Sequence, residues 1–211
     1  MWASEKLRIL DRYAARIAQH GASFEALNSG TPERRAIRFG VLADVGVSSG
    51  DSVLDLGCGL GDLWPFLHDR GLEVDYTGFD INQTLINAAR ERYPDVAFKV
   101  HDILEEPGPL FDWVVSTSCF NLKLAGGDNY ELAERVLRTA FRHARRGVAV
   151  DFLTSYVDFP SAEGFHYEPE RIFQIAKRIT RRVAIRHDYP LFEFAVYLYP
   201  DFAGWNPDTS R

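Results

Sequence analysis

Val-Leu-Asp-Leu-Gly-Cys-Gly-Leu-Gly-Asp-Leu, residues 53 to 63, is the stretch from which the fold can be read. Val53, Leu54 and Leu56 predict a short buried strand with Asp55 near its end. Gly57, Gly59 and Gly61 then strip side chains from the following loop, so that its backbone N–H groups can come close to a bound nucleotide. A loop built for a dinucleotide pyrophosphate carries no carboxylate beside the phosphates, because like charges repel strongly where the dielectric is low. The spacing also differs: the dinucleotide fingerprint is G-x-G-x-x-G, whereas this loop is G-x-G-x-G.

Both departures ask for a ligand with an adenosine, a positively charged end and no phosphate. S-adenosylmethionine (SAM), with its ammonium and sulfonium, meets all three requirements. Outward from the loop, strand-like and helix-like segments alternate. Strands are expected at 53–56, 75–79, 96–100, 111–116 and 148–153, and helices at 62–70, 82–93, 129–145 and 169–179. This alternation predicts a doubly wound α/β fold: a seven-stranded, mostly parallel sheet with helices on both faces and ligands beyond the carboxyl ends of the strands. The last two strands, 182–187 and 192–199, are joined by a segment too short for a crossover helix, so they form an antiparallel hairpin.

Ahead of the first strand, Leu7, Leu10, Tyr13, Ala14 and Ile17 have the spacing of an amphipathic helix over 4–19. A Gly/Ser/Asn loop through Gly30 follows, and Thr31-Pro32-Glu33 opens a second helix. Residues 1–46 are expected to form a helical lid on a single domain at 47–211, with Tyr13 and Arg38 reaching the pocket and the lid excluding water.

Asp80 in Phe-Asp-Ile-Asn and Asp102 in Val-His-Asp-Ile-Leu end the next two strands. An acid at the first position can accept from both ribose hydroxyls, and one at the second suits an adenine amino group. His101, beside Asp102, is expected on the opposite face in a structural role. Aspartate also caps helices and starts turns, but three at successive strand ends, the first leading into a glycine loop, carry more weight than any one.

Together with Phe-Asp-Trp-Val-Val-Ser-Thr-Ser at 111–118, these motifs resemble the ordered motifs of class I SAM-dependent methyltransferases over about residues 50 to 200. The resemblance implies that Asp55, Gly57, Cys58, Gly59 and Gly61 hold the methionine end of SAM. It assigns the ribose to Asp80, followed by Ile81 and Asn82, the adenine to Asp102 and Ile103, and the methyl-side wall to Ser116 and Ser118. His20-Gly21-Ala22, the stretch 151–158 and the stretch 186–190 are similar to small bacterial methyltransferases, a likeness that identifies no acceptor.

The bulk properties narrow the partners. A net charge of −6 over 211 residues speaks against nucleic acid, which takes a concentrated basic surface. Arg138, Arg142, Arg145 and Arg146, like the basic run at 177–186, are expected at helix C-termini, where cations complement the macrodipole. No apolar stretch reaches the length of a membrane span. Two cysteines, Cys58 and Cys119, and no signal peptide point to the cytoplasm. The histidines are scattered without paired spacing, so no metal site is expected.

Methyl transfer from a sulfonium is a direct displacement and requires no covalent nucleophile; S-adenosylhomocysteine (SAH) is the other product. An acceptor with a hydroxyl or ammonium needs a base, for which the candidates are Tyr156, Asp158 and His166, with His187 and Asp188 further along. Phe120 and Asn121 are candidate contacts for a small-molecule acceptor. Two other readings remain open at this point, a SAM- or SAH-binding module without catalysis and an NAD-dependent oxidoreductase. The oligomeric state is not legible.

Overall fold

The computed structural model describes residues 2–106 and 108–201; residues 202–211 of the expected domain lie outside the described residues. In chain order the elements are α1 (Trp2–His20), α2 (Phe24–Leu27), α3 (Pro32–Ala43), β1 (Ser52–Leu56), α4 (Leu63–Asp69), β2 (Asp75–Asp80) and α5 (Gln83–Arg92). They continue with β3 (Ala97–Val100), β4 (Phe111–Ser116), α6 (Asn129–Arg142), β5 (Ala144–Leu153), α7 (Pro169–Lys177), β6 (Arg182–Arg186) and β7 (Glu193–Tyr199). The sheet order is β3-β2-β1-β4-β5-β7-β6. Strands β1 to β5 run parallel, while β7 is antiparallel to both β5 and β6. The expected seven-stranded sheet and closing hairpin are therefore present. The order reverses between β1 and β4, which opens a crevice at their carboxyl ends.

Alternation along the strands assigns each face its helices. Leu54, Leu56, Val114, Val148, Val150 and Phe152 pack with α6 and α7, whereas Val53, Trp113, Val115 and Ala149 pack with α3, α4 and α5. The helices start where side chains can satisfy free N–H groups: Asn82 accepts from Thr84 and Leu85, Asp128 from Tyr130, and Thr31 from Arg34. Helix α3 does not behave as part of a lid. Phe39, Val41, Leu42 and Ala43 are buried against the sheet, so only α1 and α2 lie outside the core layers. Among the described residues no helix is long and apolar enough to cross a membrane.

One boundary differs from expectation. Helix α6 ends at Arg142, and β5 begins at Ala144 rather than 148. The Phe111 N–H bonds the His143 carbonyl at 2.8 Å, which pulls the chain into the sheet at the point where a register irregularity separates Phe111 from Trp113. Arg145 and Arg146 thus belong to a strand, not a helix end, and Arg146 pairs with Asp51 over the Trp113 ring.

Phe152 is fully buried, with Phe120, Tyr167 and Phe194 around it at ring separations of 5.1, 4.8 and 5.5 Å. Phe152→Ala is expected to destabilise the fold by about 3–5 kcal/mol, read as an earlier midpoint in urea unfolding.

Candidate functional site

A cavity of about 1350 Å³, the open space at its mouth included, lies over the carboxyl ends of β1, β2 and β4. Asp55, Gly57, Cys58, Gly59, Asp80, Ile81, Asn82, Asp102, Ile103 and Ser118 line it, so most of the residues expected at the cofactor share one wall.

The glycines work by absence of bulk rather than by donation. The Gly57 and Cys58 N–H groups both bond the Phe79 carbonyl, at 2.7 and 3.0 Å, and the Gly61 N–H bonds the Cys58 carbonyl. The Gly59 N–H is held by Asp80 at 3.0 Å. A side chain at Gly57 would run into Cys119 Sγ, 1.9 Å from its Cβ, so the loops after β1 and β4 touch there. Gly61 does not line the cavity: with φ +80° and a Cβ position 2.5 Å from Phe98, it serves packing against β3. Ser116 also leaves the expected wall. Its hydroxyl donates to the Leu56 carbonyl at 2.8 Å, because the last residue of β4 faces β1. Thr117, Ser118, Cys119 and Phe120 supply that wall instead.

Asp55 is buried, and its Oδ2 accepts from the Tyr76 hydroxyl at 2.6 Å while Oδ1 has no partner. Burial pushes its carboxyl up to about 7 against the Tyr76 hydrogen bond, with Asp80 adding repulsion. Burial also raises Asp80, opposed by the N–H groups of Asn82, Gly59 and Ile81. An orphaned, buried carboxylate oxygen beside a second, half-buried carboxylate is short of a cation. An ammonium or sulfonium meets that need, so the residues present fit SAM.

Helix α1 crosses the mouth as a strap. At its start Trp2 Nε1 donates to Asp102 Oδ2 at 2.8 Å and Lys6 Nζ lies 2.9 Å from the same oxygen, while the Leu104 N–H takes Oδ1. Asp102 thus lines the cavity with both carboxylate oxygens engaged, one by α1 and the other by the Leu104 N–H. Burial works against its ionisation, but Lys6, the Leu104 N–H and Trp2 together hold its carboxyl below the usual range. Further along, Glu5 accepts from the Gly126 N–H at 2.8 Å, and Arg8 donates to the Lys123 carbonyl at 2.8 Å. Leu27 of α2 covers Gly59, 3.3 Å from where its Cβ would stand. His101 lies on the cavity wall, its ring 4.4 Å from Phe79, because the chain leaves the strand at Val100 and alternation ends there.

A second chamber, of about 890 Å³ with the open space at its mouth included, adjoins the first, and Tyr13, Leu27, Ser29, Arg38 and Ser118 line both. Arg38 reaches the pocket as expected, but as the centre of a buried ion cluster. It donates twice to Glu193, at 2.7 and 2.6 Å, lies 3.2 Å from Asp151 and donates to the Ser29 carbonyl. Asp151 in turn accepts from the Ser118 N–H at 2.6 Å and the Thr117 hydroxyl at 2.8 Å, and so holds Ser118 at φ 59°. Asn121 lines the second chamber with Oδ1 buried and unpartnered; Phe120 lines the first, packed on Phe152. Burial pushes the Tyr13 hydroxyl up to about 12.

The three candidate bases lie elsewhere. Tyr156 is exposed and donates to Glu170 at 2.6 Å, and Asp158 is exposed. His166 has Nε2 accepting from the Ser161 N–H and Nδ1 at the Thr154 carbonyl, so both nitrogens serve the loop. None of the three lines either chamber; the segment after β5 reaches the second chamber through Ser161, Glu163 and Gly164 instead, held there by the bridge of Gly164 to Leu122. The sequence reading passed over Glu193, although an acid among the apolar residues of β7 is the kind of signal that marks a buried pair.

A family model described as "Methyltransferase domain" matches residues 53–149. The protein named "Putative methyltransferase Rv1506c" from Mycobacterium tuberculosis is 33% identical over 150 residues, 69% of this chain and 90% of the relative. Magnesium protoporphyrin IX methyltransferase from Synechocystis, solved with bound SAH, superposes with a TM-score of 0.64 at 16% identity, over 90% of this chain and 94% of that one. DesVI from Streptomyces venezuelae superposes at 0.66 and 15% identity, over 86% and 98%.

Asp55 must be ionised to meet a cation. With its carboxyl up to about 7 in the ligand-free protein, SAM affinity is expected to rise by up to about tenfold per pH unit between pH 5 and 7 and then level off. Asp55→Asn flattens that profile in calorimetric titrations. The raised value has the opposite sign for stability: Asp55 favours the ligand-free fold at low pH, and that contribution is lost as pH rises through about 7.

Proposed function

Since this chain belongs to the class I SAM-dependent methyltransferases, we propose that it methylates a small-molecule acceptor seated in the second chamber, with SAM held in the first. The family assignment sets aside a module that only binds the cofactor and a nicotinamide-dependent oxidoreductase. One observation carries the reading: the two chambers share Tyr13, Arg38 and Ser118, so a donor in one and an acceptor in the other meet at a boundary made by three elements.

When bound, SAM supplies a methyl carbon on a positively charged sulfur. The chain's own residues do the positioning. Asp55 offers its unpartnered Oδ1 to the cationic end, and Asp80, whose oxygens already fix the Gly59 and Asn82 N–H groups, faces the ribose. Ile81, Ile103 and His101 make the walls around the adenine. Ser118, locked by Asp151, and Tyr13, carried on α1, set the line along which acceptor and donor approach. Such positioning is worth about 7–11 kcal/mol of barrier when it is tight, and α1 with α2 above it keeps water out. The net charge of −6 favours a small acceptor over a nucleic acid. The cytoplasm is the compartment this reading takes, both cysteines being free thiols.

Deleting residues 1–30 removes the strap and leaves the sheet and α3. The shortened chain is expected to keep cooperative thermal unfolding and to lose transfer of labelled methyl from SAM into a small-metabolite extract. Transfer at the full-length rate would remove the lid from the mechanism, and label found only in RNA or protein would overturn the small-molecule acceptor.

A further inference from the structure

The second chamber differs in charge from everything around it. The chain as a whole is acidic, at −6, and the first chamber is lined by Asp55, Asp62, Asp80 and Asp102 against Arg35, which pairs with Asp62, and Arg38, which it shares with the second. The second is lined by four arginines, Arg12, Arg16, Arg34 and Arg38, against Glu163 and Glu193. Both glutamates are engaged: Arg38 holds Glu193, and Arg12 lies 2.8 Å from Glu163. Arg16 donates through Nε to the Ala26 carbonyl at 2.8 Å and through Nη2 to the Glu25 carbonyl, which pins it in place without neutralising it. The Arg34 guanidinium has neither a hydrogen-bond nor an ion-pair partner among the described residues. Arg16 and Arg34 are thus left without a carboxylate partner, and the Arg34 guanidinium without any partner among the described residues.

Polar groups without partners point to the same place. Ser29 Oγ and Ser118 Oγ are buried with no hydrogen-bond partner, as is one end of the Asn121 amide, and all three residues line this chamber. Such groups cost free energy unless something polar meets them. A hydroxyl donates readily, and an amide turned by half a rotation presents its N–H₂. Two free guanidinium faces, two hydroxyls and an amide form a set of donors, the complement of an oxyanion.

We infer that the second chamber takes a small organic oxyanion as the methyl acceptor, with Arg34 as its ion-pair partner and the Ser29, Ser118 and Asn121 side chains as hydrogen-bond donors. This rests on the reading of the two chambers given above. The division of charge also serves selection: a cationic donor and an anionic acceptor are each repelled by the other's chamber, so each enters the correct side. Tyr13, Leu27, Leu122 and Leu153 give the chamber apolar wall beside its charges, which suits an acceptor with a carbon body.

The test uses the full-length protein saturated with SAH, titrated calorimetrically with phenylacetate and phenyl phosphate, each against uncharged phenylacetamide. At least one oxyanion is expected to bind about tenfold or more tightly than the amide, the scale of one charge-assisted hydrogen-bonded pair. Arg34→Gln is expected to abolish that preference while SAH affinity stays as in the wild type, since Arg34 is exposed and lies outside the first chamber. Which anion binds better tells carboxylate from phosphate. Equal binding of the amide and both anions overturns the inference, as does a preference that survives in Arg34→Gln. SAH that fails to bind the wild type overturns instead the reading of the first chamber, and this one with it.

Discussion

Arg38 is the residue on which the site's geometry depends. It stands on α3 and takes Glu193 from β7 in a two-pronged pair while lying 3.2 Å from Asp151 on β5. Its remaining nitrogen holds the Ser29 carbonyl in the loop that leads from the strap into α3. Through Asp151 the same cluster fixes the Ser118 N–H and the Thr117 hydroxyl. Four parts of the chain, distant in sequence, are thus brought to one point. Two buried carboxylates around one guanidinium repay their desolvation only while all the hydrogen bonds are made, so the cluster has essentially one arrangement. Geometric specificity is what it contributes; net stability is not what such clusters are for.

The distribution of charge follows from that centre. On one side lie Asp55 and Asp80, carboxylates raised by burial and set to receive positive charge. On the other lie Arg34, Arg16 and Arg12, facing outward from the same boundary. Arg38 is neutralised by its partners and separates the two fields. A reaction that joins a sulfonium donor to an anionic acceptor destroys charge as it proceeds, and a site with opposed fields brings the pair together before a low-dielectric boundary lets them react.

Much of this was legible in residues 53–63 and in the acids that follow. Asp55 and Asp80 could be read because a strand end fixes where a side chain points, and strand ends follow from local apolar runs. Asp102 shows the limit. Its place at a strand end was readable, yet its partners are Trp2 and Lys6, a hundred residues away, and no local pattern encodes that pairing. Tyr156, Asp158 and His166 lie outside the chambers for a related reason: the course of a loop depends on what it packs against, and here the bridge of Leu122 to Gly164 brings Ser161, Glu163 and Gly164 to the second chamber while Tyr156 turns to Glu170. Gly61 and Ser116 had the right positions with the wrong neighbours, Phe98 in one case and the Leu56 carbonyl in the other. Arg145 and Arg146 fell on the far side of a helix end that tertiary hydrogen bonding had moved.

The strap is held differently from the rest of the molecule, and its attachment suits a lid. In α1 the one fully buried residue is Glu5, an acid, and no residue of α1 joins the two apolar cores. Its ties are polar and lie at the rim: Lys6 to Glu105 and Asp102, Arg8 to Lys123, Arg12 to Glu163. Glu105 and Glu163 are about half and two-thirds exposed, so those pairs are screened by solvent, contribute little and weaken with salt. A segment with several weak ties and little buried apolar area opens without disturbing the sheet, at a free energy well below that of global unfolding. The Trp2 and Lys6 bonds to Asp102 make the opening specific, because they close the mouth of the first chamber beside His101 and Ile103, and Tyr13 travels with them. Lifting α1 therefore unlatches that end and removes one wall of the boundary between the chambers. Laying it back rebuilds that wall around whatever the chambers hold, so water exclusion and alignment arrive in the same movement.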